Sequence, residues 1–168
     1  MRFPTVSGAN LNRQIMTLPV DLQGDLNVVV IAFQQWQQSQ VDTWIPSLER
    51  LERAHPGLAY YELPTIQQMN PLARLFINEG MRAGIPNEKA RRRTVTLYLD
   101  KREFRRSLDL PHEDHIYVLL LNRQGDVLWR TSGVYSGDKG TDLTMAVRSA
   151  RMQLRSRQAL DEVLYQTV

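Results

Sequence analysis

A continuous apolar run at residues 27–33, NVVVIAF, constrains the fold more than any other part of the sequence. Its β-branched residues predict a strand, and the lack of polar alternation predicts a strand buried on both faces of its sheet. Such a sheet needs helices on both sides. With 168 residues, of which 42% are hydrophobic, the chain is long enough to build that core. We therefore expect an α/β protein in which this strand is central.

Predicted helices and strands alternate along the rest of the chain. Further strands are predicted at 58–63, 94–99, 116–121 and 127–131, and helices at 41–54, 71–82, 101–108 and from about 141 past 157. Pro64 is expected to close the second strand, and Pro46 to kink the first helix or delay its start. This order predicts a single domain over residues 1–168. Its central mixed sheet would have about five strands flanked by helices, with a helical insertion before the third core strand.

The absence of cysteine excludes one large class of chemistry. Without a thiol, the chain as written can form no disulfide, thiolate metal site or cysteine nucleophile. The sequence shows no apolar stretch long enough to span a membrane and no signal-peptide pattern. We therefore expect a soluble, cytoplasmic protein. The net charge of +3 is a weak electrostatic footprint, and we expect no nucleic-acid partner.

Phe33 and Pro46 lie on either side of the start of the first predicted helix. Their separation resembles that of the phenylalanine and the helix proline that flank the Cys-x-x-Cys motif of the thioredoxin superfamily. This alignment places the two cysteine positions on Gln38 and Val41. The resemblance implies a thioredoxin-like fold in which thiol–disulfide exchange and peroxidase activity are excluded.

Two hairpins extend the resemblance to the peroxiredoxin side of the superfamily. The segment 119–127, LLLNRQGDV, resembles the late hairpin of these domains, and residues 9–21 resemble their opening hairpin. Gly125 is expected to adopt a positive φ in the turn. In this register the cis-proline position of the superfamily falls near Ile116, where the chain has no proline.

The second half of the chain, roughly residues 58–145, contains a further group of motifs: Phe104-Arg105, Tyr117, the 120–122 segment and Val127-Leu128-Trp129-Arg130. In these motifs the chain resembles the mitochondrial ATP synthase assembly factor family. That family is thioredoxin-like and lacks the redox pair. The resemblance implies a redox-inactive, protein-binding module that acts as an assembly factor or chaperone for a membrane complex such as ATP synthase.

The predicted binding surface lies where this fold keeps its active site, at the start of a helix. Backbone N–H groups at a helix N-terminus can hold an anion or a peptide carboxylate. The residues we assign to this surface are Trp36, Gln37, Gln38, Ser39, Gln40 and Val41, with the cations Arg93 and Arg105. The alternative is a solvated loop in which Ser39 or Asp42 caps the helix.

Other chemistry finds little support in the sequence. His112 and His115 lack the further ligands of a metal site, and no P-loop, dinucleotide fingerprint or G-x-S-x-G motif occurs. We therefore predict no catalytic residue, metal or cofactor.

Three hypotheses follow. The first is a binding module for an unidentified protein, of undetermined oligomeric state. The second is an enzyme or small-anion-binding protein that uses Gln38, Ser39 and Arg93 without thiol chemistry. The third and weakest is nucleic-acid binding through the arginines of 91–93 and 102–106, which could equally pair with nearby acids.

Overall fold

A computed structural model describes the backbone of residues 1–165 and the side chains of residues 1–160. The strands are β1 Val6–Asn10, β2 Ile15–Leu18, β3 Leu26–Ala32, β4 Leu58–Gln67, β5 Val95–Leu99, β6 Tyr117–Asn122 and β7 Val127–Ser132. The helices are a short 3-10 helix Gln35–Gln37, α1 Gln38–Ala54, α2 Pro71–Gly84, α3 Glu88–Arg93, α4 Lys101–Ser107 and α5 Gly137–Tyr165. One mixed sheet has the strand order β2-β1-β5-β4-β3-β6-β7.

The α/β architecture is confirmed, but the prediction of about five strands is wrong because the sheet has seven. The additional strands, β1 and β2, form an antiparallel hairpin whose β1 pairs with β5. The sequence of β1, VSGAN, carries no apolar pattern that would reveal it. Gly8 is required there, since a Cβ would lie 2.6 Å from the carbonyl oxygen of Thr96.

The central position of β3 is confirmed, and its side chains divide the core into two layers. Val29 and Ile31 pack on one face with the side of α4 that carries Phe104. Val28 and Val30 pack on the other face with α1 and α5. β3 pairs with a strand on each side, with β4 in parallel and with β6 in antiparallel orientation. The strand is therefore buried on both faces, as its uniform apolar sequence requires.

Pro64 does not close the second predicted strand, because β4 continues to Gln67. Pro64 stands opposite Ala32, the last residue of β3, so the ladder on that side ends there. Thr65–Gln67 then pair with β5 on the other side. The missing N–H of proline therefore falls where β4 changes partners.

Two helices begin earlier than the sequence predicts. α1 begins at Gln38 and runs through Pro46, so a delayed start is wrong. α5 begins at Gly137, earlier than predicted, because Ser136 Oγ accepts a hydrogen bond from the Lys139 N–H at 3.3 Å. The helical insertion is confirmed as α2 and α3, and Asn70 caps α2 by accepting from the Ala73 N–H.

Candidate functional site

Gln37 organises the loop that joins β3 to α1. Its side chain is fully buried. Its Oε1 accepts from the backbone N–H of Phe33 at 2.7 Å and of Gln34 at 3.1 Å, while its Nε2 donates to the Glu113 carbonyl at 2.6 Å. We call residues 34–41, which comprise this connection with its 3-10 helix and the first turn of α1, the 34–41 loop. One amide thus satisfies three backbone groups and fixes this loop against the segment before β6.

A charged cluster, which we call the Glu113 network, lies under the 34–41 loop. The Glu113 carboxylate accepts from Lys101 Nζ at 2.6 Å and from Arg105 Nε at 3.1 Å. Lys101 Nζ also donates to the Phe33 carbonyl at 3.2 Å. Arg105 also donates to the carbonyls of Leu110 and Pro111, at 3.2 and 2.9 Å. The predicted site cation Arg105 is therefore held by acceptors of the chain itself.

Gln38, which stands at the first cysteine position of the superfamily, faces two carboxylates. Its Nε2 donates to Asp42 at 3.0 Å and to Glu62 at 3.3 Å. Burial raises the pKa of Glu62, an effect that the hydrogen bond from Gln38 opposes and the charge of Asp42 reinforces. Acidic groups beside Gln38 disfavour an anionic ligand at this point.

The remaining residues of the predicted site divide by exposure. Trp36 is 57% exposed, whereas Val41, at the second cysteine position, is buried. Ser39 Oγ donates to the Trp36 carbonyl, and Gln40 Oε1 accepts from the Ile116 N–H. The alternative that Ser39 or Asp42 caps α1 is wrong, because the N-cap residue is Gln37, without a side-chain cap.

Arg93 belongs to a different cluster from the 34–41 loop. Its Nη2 donates to both oxygens of Glu52, at 2.7 and 2.8 Å, and its guanidinium lies 4.1 Å from the centre of the Tyr60 ring. Arg92 pairs with Glu88, and Arg91 donates to the Ile85 carbonyl. The arginines of α3 are thus engaged within the chain.

Two cavities of the described residues lie away from the 34–41 loop. A cavity of about 600 Å³ and another of about 140 Å³ are lined by residues outside the 34–41 loop. Within the part of the chain that the structure describes, no cluster of three or more His, Asp or Glu side chains could hold a metal ion. Across the same residues, no helix combines the length and apolar character needed to cross a bilayer.

A large uncharged surface on α2 was not identified from the sequence. Leu72, Leu75 and Phe76 are 81%, 57% and 83% exposed. Gly80 and Gly84 continue the i, i+4 row of Leu72 and Phe76, and a Cβ built on either glycine would meet nothing within 4 Å. We call these five residues the outer face of α2. Contiguous exposed apolar residues of this kind mark interaction surfaces.

The sequence signal for this surface is that apolar residues occur on both sides of α2, with Leu72, Leu75 and Phe76 on one side and Ile77 and Met81 on the other. The second side contacts β5, since the Met81 sulfur is 4.0 Å from Thr96 Oγ1. A helix with apolar residues on two opposite faces buries only one of them in a single sheet layer.

Comparison with protein families decides the assignment. The family model described as ATP10 protein matches residues 1–149. The chain belongs to the ATP10 protein family. This result confirms the resemblance to the ATP synthase assembly factors. A search of the curated proteins found no significant match.

Solved structures similar to this ATP10 family member are thioredoxin-like. BsSco, a member of the Sco family of cytochrome c oxidase assembly proteins, is 14% identical, with 89% of this chain and 92% of that chain covered and a TM-score of 0.61. The exposed lipoprotein thioredoxin of Streptococcus pneumoniae strain TIGR4 is 10% identical, with 84% and 98% covered and a TM-score of 0.53. A thiol:disulfide interchange protein from Bacteroides sp. is 15% identical, with 88% and 86% covered and a TM-score of 0.53. At these identities the likeness establishes the fold alone.

Proposed function

We propose that this chain is a redox-inactive assembly factor that binds an apolar segment of an ATP synthase subunit. Membership of the ATP10 family supports the choice of complex. The observation that carries a binding role is the outer face of α2, where three large apolar side chains are exposed and none of the helix residues is buried. Such a surface gains free energy only by covering itself with a partner.

The shape of the outer face favours a helical partner. Leu72 and Phe76 project from one half of the row, whereas Gly80 and Gly84 leave the other half flat. A row of residues four apart fits the groove of a second helix, and glycines allow the two backbones to approach closely. An apolar helix of a membrane subunit therefore suits this face.

The residues at the superfamily's active-site position support a non-catalytic role. Gln38 and Val41 stand where the cysteines would be, and the chain has no other cysteine to replace them. Gln37 donates to the Glu113 carbonyl and Lys101 donates to the Phe33 carbonyl. Arg105 donates to the Glu113 carboxylate. The functional groups of this region therefore hold the loop in place rather than face a substrate.

The 34–41 loop remains a candidate for a second contact. Of the residues predicted for the site, Trp36, Gln38 and Ser39 are exposed and could touch a partner, as are the neighbouring Gln34 and Gln35. Gln37, Gln40 and Val41 are less exposed and position them. Exposed tryptophan is enriched at binding surfaces. We assign Arg93 and Arg105 a structural role beside this contact, because their guanidinium groups are paired internally.

Affinity capture from the source cells tests the proposal. The wild-type chain, a Leu72→Arg/Phe76→Arg variant and a Trp36→Ala/Gln38→Ala variant are compared, and mass spectrometry identifies what each retains. We expect ATP synthase subunits with the wild type and their loss with the α2 variant. An Arg102→Ala variant on α4 serves as the control, because Arg102 is exposed and lies outside both surfaces.

The outcomes separate the two surfaces. Loss of the subunits with the loop variant, but not the α2 variant, would move the binding site to the 34–41 loop. Absence of ATP synthase subunits from the wild-type capture would contradict the proposed function.

A further inference from the structure

The sheet contains a gap beside the first half of β4. On one side, Leu58–Pro64 pair with β3 in an unbroken parallel ladder. On the other side, pairing begins only at the bridge between Glu62 and Thr94 and continues from Thr65 to Gln67 with β5. In the described residues no strand covers the 58–61 segment on that side. Half the backbone N–H and C=O groups of a strand point to each neighbour, so this segment presents a short unpaired edge.

A cavity of about 600 Å³ occupies the gap. Ala59, Tyr60 and Tyr61 line it from β4, and Asn10, Gln14, Ile15 and Met16 line it from the β1–β2 hairpin. Tyr60 belongs to the core layer of α1, whereas Tyr61 belongs to the opposite layer. Since both tyrosines reach the cavity, it lies in the plane of the sheet, where a further strand would run. We call it the β4 notch.

Cations of α3 border the notch. Lys89, Arg92 and Arg93 line it together with the two acids Asp21 and Glu52. Both acids are already occupied, because Asp21 accepts from the Thr17 N–H and Glu52 accepts from Arg93 and Lys89. The side chains of Lys89 and Arg92 are largely exposed. The cations are paired as well, since Arg92 bonds to Glu88 and both Lys89 and Arg93 bond to Glu52, so a carboxylate would have to compete for these pairs. With three cations and two acids, the lining nevertheless carries an excess of one positive charge, which favours a carboxylate over a cation.

Arg93 gives that wall a fixed anchor. Its guanidinium is held between Glu52 and the Tyr60 ring, and its Nη1 has no hydrogen-bond partner within the described residues. A buried guanidinium nitrogen without an acceptor is costly. Because this nitrogen has almost no solvent-accessible surface, Arg93 contributes its positive charge to the notch rather than a free hydrogen-bond donor.

We infer that the β4 notch binds an extended peptide segment bearing a carboxylate. Its backbone would add a short strand along Leu58–Tyr61, and its carboxylate would lie against Lys89, Arg92 and Arg93. At ~3.3 Å per residue, a segment of about four residues spans this edge. Strand addition supplies backbone hydrogen bonds, and the charged wall supplies the preference for an acidic residue or a C-terminus. The site is separate from the outer face of α2 and does not depend on the proposed role in ATP synthase assembly.

A titration of the purified, isotope-labelled full chain with a synthetic peptide tests the inference. The probe is acetyl-Val-Thr-Val-Thr-Asp with a free carboxyl terminus, added to millimolar concentration. We expect the amide resonances of Leu58–Glu62 to shift and their hydrogen exchange to slow. The same peptide N-methylated at alternate residues keeps the charges but loses the backbone donors, and we expect it not to bind.

A matched pair of variants tests the charged wall. Lys89→Glu/Arg92→Glu should weaken the peptide about tenfold. Arg102→Glu/Arg106→Glu, which reverses two exposed charges on α4, should leave the affinity unchanged. Absence of shifts in 58–62, equal binding of the N-methylated peptide, or equal binding of acetyl-aspartate alone would each overturn the inference. Because only the purified chain and a synthetic peptide are used, this result stands apart from the outcome of the capture experiment.

Discussion

The 34–41 loop and α2 use their side chains in opposite ways. In the loop, the amide of Gln37 is buried and makes three hydrogen bonds to backbone groups of the chain. In α2, Leu72 and Phe76 are more than four-fifths exposed and contribute nothing to the core. The loop lies at the position of a thioredoxin-like active site, but the amide of Gln37 makes its hydrogen bonds within the chain. The helix lies outside that position and leaves its apolar groups exposed.

Removal of the Gln37 amide should have the largest effect on stability of the changes considered for these two regions. A Gln37→Ala variant leaves the amides of Phe33 and Gln34 and the carbonyl of Glu113 without their partner. We expect the free energy of unfolding to fall by about 3 kcal/mol, measured by urea denaturation. Gln38→Ala is the matched control, with an expected change of about 0.5 kcal/mol or less because Gln38 is exposed. Equal effects of the two variants would contradict a structural role for Gln37.

A charged residue introduced on the outer face of α2 should weaken partner binding without lowering the free energy of unfolding. Phe76→Arg should reduce capture of ATP synthase subunits about thirtyfold, the size of a typical binding hot spot of 2 kcal/mol. Its free energy of unfolding should change by about 0.5 kcal/mol or less, because Phe76 is exposed. Quantitative capture and urea denaturation on the same preparations measure both. A Phe76→Arg variant that unfolds easily would show that the outer face packs within the chain.

The Glu113 network offers a smaller test of the loop. Lys101→Met removes the ion pair with Glu113 and the hydrogen bond to the Phe33 carbonyl. We expect a loss of about 1.5 kcal/mol in the free energy of unfolding, because a partly buried carboxylate loses one of its two cationic partners and the Phe33 carbonyl loses its donor. Arg102→Met on the same helix should have no measurable effect, since Arg102 is exposed. A partner-capture defect without loss of stability would instead place Lys101 in a binding surface.

The smallest expected effect concerns the pH dependence contributed by Glu62. Burial raises the pKa of this carboxyl in the folded chain, so the folded state binds the proton more tightly than the unfolded state. Its contribution to stability therefore falls as pH rises from the unfolded pKa to the folded pKa. Glu62→Gln should increase the free energy of unfolding at neutral pH, and this gain should shrink as the pH is lowered below the unfolded pKa. Urea denaturation at several pH values measures it, and a gain independent of pH would contradict the assignment.

Much of the fold could be predicted from the sequence, because its signals are local. The uniform apolar run identified β3, and the predicted positive φ at Gly125 is confirmed at 83°. The β1–β2 hairpin resembled the opening hairpin of the peroxiredoxin side, but its strands were not counted. β1 is held by its pairing with β5, which is remote in sequence, rather than by any pattern of its own.

The candidate site could be predicted only in part, because exposure and pairing depend on tertiary contacts. The position of the 34–41 loop could be predicted from the spacing of Phe33 and Pro46. The burial of Gln37 could not, because its amide donates to the carbonyl of Glu113, which is remote in sequence. The outer face of α2 was missed because an apolar pattern on a helix ordinarily indicates core. The β4 notch depends on where β5 begins to pair, which no local pattern encodes.

The amount of assembled ATP synthase tests the central claim most directly. The gene for this chain is deleted, and the cells are complemented at equal protein levels with the wild type, with Leu72→Arg/Phe76→Arg or with Trp36→Ala/Gln38→Ala. Native gel electrophoresis then measures the amount of assembled ATP synthase in each. The account predicts full assembly with the wild type and a large loss with the α2 variant. Normal assembly in the deleted cells, or full rescue by the α2 variant, would contradict it.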